Sequence, residues 1–136
     1  DAQESRGLGD VYKRQTWMSV ETPLSPAAKA GFLAPYGSVS VRRAVADFVA
    51  DIPMEAEHPT RSVLAGVEAS LAGLKAKPML LCWGMRDFCF DQSFLEGFVR
   101  RFPSAEQLLF PDAGHYVLED AGEAALGPIA AFFGPA

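Results

Sequence analysis

Cysteine is scarce: two in 136 residues, Cys82 and Cys89, too few for the disulfide framework of a small stapled fold. Positive charge is in deficit, with twelve Lys and Arg against seventeen Asp and Glu, a formal charge of −5. Phosphate binding needs a basic face, so no nucleic-acid partner is expected. No apolar run reaches the roughly 20 residues that cross a bilayer, so no membrane span is expected. The first residues, Asp-Ala-Gln-Glu-Ser-Arg, lack the apolar core of a signal peptide, and a cytoplasmic location is the default. No metal-ligand spacing and no glycine-rich phosphate loop occurs, so neither metal nor cofactor is expected. Histidine is rare as well, His58 and His115 only, which narrows any acid–base chemistry. Apolar residues are plentiful, at 49% with ten Phe, and the length allows one domain at most.

Residues 1–15 show no helical or strand periodicity. Asp10-Val11-Tyr12-Lys13-Arg14-Gln15 matches the translation of GAT-GTG-TAT-AAG-AGA-CAG, which resembles the transposase mosaic end of tagmented sequencing libraries. Ser5-Arg6-Gly7-Leu8-Gly9 matches the adapter before it, and Asp1 to Glu4 fit an index region. The other reading is an ordinary disordered tail, and under either no structure is expected there. Three acids and three bases cancel in this segment, so the acidity belongs to Thr16–Ala136. The expectation is a native sequence that begins mid-gene at Thr16, with its preceding part missing.

Ser25-Pro26 is a cap and first-turn signal for a short helix through Leu33, weakened by Gly31 and ended by Pro35-Tyr36-Gly37-Ser38. Val41, Val45, Phe48 and Val49 recur at helical spacing up to Ile52-Pro53. Glu55 to His58 is a polar connector. Behind Pro59, the residues Val63, Leu64, Val67, Leu71 and Leu74 form an apolar stripe. These short helices with Pro-rich joints make no compact core by themselves. From Lys77 the pattern changes. Pro78-Met79-Leu80-Leu81-Cys82-Trp83, ended by Gly84, reads as a strand buried on both faces of a parallel sheet. Phe94, Phe98, Val99 and Phe102 give a helix with Asp91 as N-cap and Phe102-Pro103 as its end. Glu106 to Phe110 is a second strand, and Pro111-Asp112-Ala113-Gly114 is turn chemistry. Val117 to Phe133, with Leu118, Ala121, Ala125, Leu126, Ile129 and Phe133, is an amphipathic terminal helix opened by Glu119-Asp120, whose carboxylates suit a helix start. Strand, helix, strand, helix is a βαβα unit, hence an α/β fold with parallel strands. Two strands cannot bury both faces of a sheet, so further strands are expected elsewhere.

His58, in a polar joint before a helix, needs no role beyond that. His115 follows a predicted strand directly, on a loop at its carboxyl end, where α/β folds place their sites. Asp87, in Trp83-Gly84-Met85-Arg86-Asp87, lies at the carboxyl end of the preceding strand. Adjacent parallel strands bring those ends side by side, so Asp87 and His115 can meet as an orienting carboxylate and a base. Asp91 is a rival carboxylate, better suited to the helix cap. Phe88, Phe90 and Tyr116 flank the pair and are candidates for an apolar substrate pocket, with core packing as the alternative. Cys82 reads as a small buried hydrophobe. Cys89 has no suitably placed second histidine to make it a nucleophile.

Pro78–Asp87 followed by Asp112-Ala113-Gly114-His115-Tyr116 resembles the last two catalytic segments of the α/β-hydrolase superfamily. The resemblance implies that Asp87 is the triad acid and His115 the base. The finer pattern, Trp83 to Asp91 with His115-Tyr116-Val117-Leu118-Glu119-Asp120, is similar to the haloalkane-dehalogenase branch, and within it to the β-lactone decarboxylases of olefin biosynthesis. It implies a C-terminal fragment of that fold: residues 16–60 the remainder of a helical cap, residues 61–136 part of the core with its last two parallel strands. The nucleophile elbow, Gly-x-Ser-x-Gly or Gly-x-Asp-x-Gly, is not in the sequence. The implied parent uses an aspartate from its missing N-terminal half against a small apolar substrate, a haloalkane or a β-lactone. A serine esterase or carbon–carbon hydrolase, or an inactive interaction domain on the same fold, are the alternatives.

Overall fold

A computed structural model describes Arg14 and residues 16–134; the adapter-like segment falls, Arg14 apart, outside the described residues. The described residues form two compact units, Ser25–Lys75 and Thr16–Leu24 with residues 76–134. The division lies at 75/76, whereas the motif-based boundary between cap and core lies at 60/61.

The first unit is helical. Helix α1 spans Pro26–Leu33; Ser25 caps it by accepting the Ala28 N–H at 3.1 Å, and Pro26 starts it, as Ser-Pro predicts. Its end tightens into a 3-10 turn, Ala34–Tyr36. Helix α2 spans Val39–Ala50 under a Ser38 cap, and helix α3 spans Thr60–Ser70, followed by a 3-10 turn at Leu71–Leu74. The α2–α3 joint is tied by hydrogen bonds. His58 donates from Nε2 to the Ala50 carbonyl and accepts the Thr60 N–H on Nδ1. The Thr60 hydroxyl bonds Asp51, and Arg61 reaches the Glu55 and Pro53 carbonyls. The apolar stripes form as their periodicity predicts but stay uncovered. Phe48, Val63 and Val67 are exposed, and no described residue of Ser25–Lys75 is buried.

The second unit holds the sheet. Strands β1, Leu80–Gly84, and β2, Glu106–Phe110, pair in parallel, from Leu80 opposite Glu106 to Gly84 opposite Phe110. Helix α4, Gln92–Arg101, crosses between them, with Asp91 as its N-cap. Short helix α5, Val117–Ala121, and helix α6, Glu123–Phe133, follow β2. Leu24, Leu81, Leu95, Phe102, Ala113 and Ala125 are the buried apolar residues, joined by the buried polar Thr16 and Ser19. Helices with two parallel strands match the carboxyl-terminal part of an α/β-hydrolase fold.

Three expectations need correction. Strand β1 is not buried on both faces: Leu81 and Gly84 are buried, while Leu80, Cys82 and Trp83 are half-buried, because the described sheet has two strands and no third neighbour. Cys82 is for the same reason half-buried rather than a core residue. The terminal helix is broken at Gly122, whose φ of 51° and ψ of −129° lie outside helical space and are open in practice to glycine alone.

Candidate active site

The site is built where two loops leave the carboxyl ends of β1 and β2. The loop after β1 is held against the loop after β2 by backbone bonds: Met85 N–H to the Phe110 carbonyl and Arg86 N–H to the Ala113 carbonyl, both at 2.9 Å. Glycine makes the approach possible. A Cβ on Gly84 would sit 2.2 Å from the Gly114 carbonyl oxygen and 2.6 Å from that of Ala113. The guanidinium of Arg86 ties the two loops from outside by pairing with Asp112 at 2.5 Å, and reaches Glu21 of the Thr16–Leu24 segment at 3.3 Å.

This packing brings the two candidate catalytic side chains together. Nδ1 of His115 lies 3.1 Å from Oδ1 and 3.0 Å from Oδ2 of Asp87. An ionised carboxylate only accepts, so Nδ1 carries the proton and Nε2 keeps the lone pair in neutral imidazole. That is the tautomer a general base needs. The Asp87 side chain is 8% exposed and that of His115 25%, so the carboxylate is shielded while the imidazole edge remains reachable. Oδ1 of Asp87 also accepts the Cys89 and Phe90 amides, each at 2.8 Å. Burial works to raise the Asp87 carboxyl, but the Phe90 amide, His115 and the Cys89 amide together outweigh it and hold the group below the usual carboxylate range.

The aromatic candidates surround the histidine. The rings of Phe90, Tyr116 and Phe88 lie 5.2, 5.7 and 6.2 Å from the His115 ring, Tyr116 stacked and the two Phe tilted. Phe88 and Phe90 are exposed, apolar surface beside the imidazole. Asp91 is taken up by the cap of α4, where it accepts the Ser93 N–H and hydroxyl. His58 belongs to the helical unit, both ring nitrogens engaged in the α2–α3 joint. Cys89 is exposed and contributes its amide to Asp87. Burial pushes the Cys82 thiol up, away from thiolate chemistry. Among the described residues, no group of three or more His, Cys, Asp or Glu could hold a metal ion, and no helix is long and apolar enough to cross a membrane.

Two site residues escaped the sequence reading. Trp83 donates from its indole to the Phe90 carbonyl at 2.9 Å and so pins the far end of the Asp87 loop; a tryptophan ending an apolar strand looks like core. Asp120 looks like a helix-start carboxylate, yet it accepts the amides of Glu21, Thr22 and Gly114. Nothing in the apolar spacing, which runs on across Gly122, set this carboxylate apart from a helix start.

No protein-family model matches the chain. It is 37% identical over 117 residues to a cis-3-alkyl-4-alkyloxetan-2-one decarboxylase of Xanthomonas campestris pv. campestris, covering 86% of this chain and 39% of that protein. It is 34% identical over 119 residues to a cis-3-alkyl-4-alkyloxetan-2-one decarboxylase of Shewanella oneidensis, covering 87% of this chain and 37% of that protein. The chain thus spans about two fifths of the length of these curated relatives.

Proposed function

We propose that this chain supplies the acid and base, Asp87 and His115, of a dehalogenase-like α/β-hydrolase acting on an apolar β-lactone. The aspartate nucleophile and the oxyanion donors come from sequence outside Thr16–Ala136, as do the remaining strands. Residues 16–60 are then cap and residues 61–136 core. The observation that carries this reading is the His115 Nδ1–Asp87 contact at 3.0 Å at the ends of two parallel strands, with three aromatic rings around the imidazole. The relatives' names favour a cis-3,4-dialkyl oxetan-2-one over a haloalkane.

In the lactone reaction the aspartate attacks C4, the saturated ring carbon bonded to the ring oxygen, forming an ester bond as the C4–oxygen bond breaks and frees the ring carboxylate. The freed carboxylate then leaves as carbon dioxide, its electrons form the alkene, and the aspartate departs with the pair it donated. Atoms and charge balance without water. His115, oriented by Asp87 through its Nδ1–H, supplies the polar face of the site during ring opening. With a haloalkane the same ester needs water, and neutral His115 takes the proton of that water through Nε2.

The test uses a full-length parent carrying this sequence, assayed with a cis-3,4-dialkyl oxetan-2-one, a haloalkane and an activated ester. Alkene release from the lactone is expected, with His115→Ala and Asp87→Asn each reducing turnover on the order of 10³- to 10⁴-fold. Turnover of the ester alone, with serine in the elbow, would replace the proposal with an esterase. A parent inactive on all three substrates would leave an interaction domain as the better reading.

A further inference from the structure

The loop that carries His115 is held on both sides of the histidine by groups that come from elsewhere in the same unit. Before it, the buried Gly114 donates its amide to Oδ2 of Asp120 at 2.8 Å. After it, Tyr116 donates its amide to the carbonyl of Ser19 at 2.8 Å, and Ser19 is itself buried. The segment that contains Ser19 is in turn fastened by Asp120. Thr22 donates to Oδ1 at 2.7 Å, and Glu21 donates to both carboxylate oxygens at 3.0 Å. One carboxylate therefore fixes the residue before His115 directly, and the residue after it through the Glu21–Thr22 strap. Burial works to raise the Asp120 carboxyl, but the three amides outweigh it and keep the group charged. Every contact asks for an acceptor. A carboxamide would turn an N–H₂ toward Gly114 or toward Glu21 and Thr22, and so break one end of the strap.

We propose that Asp120 is a positioning residue for His115, setting the imidazole on Asp87 by clamping Gly114 and the Glu21–Thr22 segment together. The proposal rests on the reading of His115 as the base, but it is tested without turnover, so its failure is distinguishable from failure of the proposed reaction.

The experiment is solution NMR on the 136-residue chain. It follows the low-field proton of His115 Nδ1–H in its bond to Asp87, and hydrogen exchange at the Gly114 amide. Asp120→Asn and Asp120→Ala are compared with Asp112→Ala, which removes an exposed carboxylate from the same loop. Both Asp120 variants are expected to lose the low-field proton. Gly114 exchange should accelerate roughly 10- to 100-fold in them, the size set by one hydrogen bond to a charged acceptor. Asp112→Ala is expected to keep both signals. If Asp120→Ala does not fold, Asp120→Asn, which retains one acceptor oxygen, decides. Persistence of the low-field proton in a folded Asp120 variant overturns the proposal, because Asp120 then stabilises the loop without placing the imidazole. Unfolding of both variants, or absence of the low-field proton from the unsubstituted chain, overturns it as well.

Discussion

Asp87 keeps its charge in a place where burial opposes it, since two backbone amides and an imidazole outweigh the lost hydration. A carboxylate whose folded pKa is depressed stabilises the folded state above its unfolded pKa, about 3.9 for Asp. That contribution is lost as pH falls through the depressed folded value. We therefore expect unfolding free energy to decline below about pH 4, and Asp87→Asn to be less stable at neutral pH with a shallower acid decline. Urea titrations of both proteins between neutral pH and pH 3 measure the difference; parallel pH profiles would separate Asp87 from acid stability. The Asp87–His115 pairing was legible because both residues follow strands predicted to lie side by side, so a local pattern implied a distant contact. Asp120 was not legible, because its partners Glu21 and Thr22 lie 99 and 98 residues away on a segment with no periodicity.

Between elements, the closest constraint is the crossing of the two loops at Gly84 and Gly114. Gly84→Ala would push its Cβ against two carbonyl oxygens of the opposite backbone, not against a side chain that can turn aside. The expected cost is about 3 kcal/mol, the upper end for overpacking. Because Asp87 and His115 lie just beyond the crossing, the same variant should also lengthen their contact. Gly97 is the control. Its added Cβ would meet only the ends of two flexible side chains, Arg101 at 3.5 Å and Arg100 at 3.9 Å, and alanine is favoured over glycine inside a helix by about 0.5–1 kcal/mol. Gly97→Ala should therefore be neutral or stabilising, and opposite shifts of the urea midpoint check the pair. Element placement followed the sequence closely where punctuation was strong. Asp91 caps α4, and Glu106–Phe110 is β2 with the bounds the pattern implies. It failed at Gly122, since a glycine at one helical position does not announce a positive φ, and the apolar spacing continues undisturbed across the break.

At the scale of the whole molecule, the two units differ in what holds them. The unit with the strands has a buried set, including Leu95, Phe102, Ala113 and Ala125. The described residues of 25–75 have none, and every residue from Arg61 to Ser70 is exposed. Periodicity foretold the apolar stripe of α3 but not whether anything would cover it, because a hydrophobic pattern specifies a face and leaves its partner open. An isolated helix of this length is marginal in water without a packed face, so local opening there should need far less free energy than opening of β1, β2 and α4. Limited trypsin digestion reads that ordering. Cleavage at Lys29, Arg42, Arg43, Arg61 and Lys75 is expected well before cleavage at Arg100 and Arg101 in the last turn of α4. Arg86, engaged by Asp112 and Glu21, should also be cut late. The early product should then be a resistant piece starting near Ala76, detected by mass spectrometry. Equal rates at both sets of sites would mean that the buried residues of the strand unit give it no stability of its own.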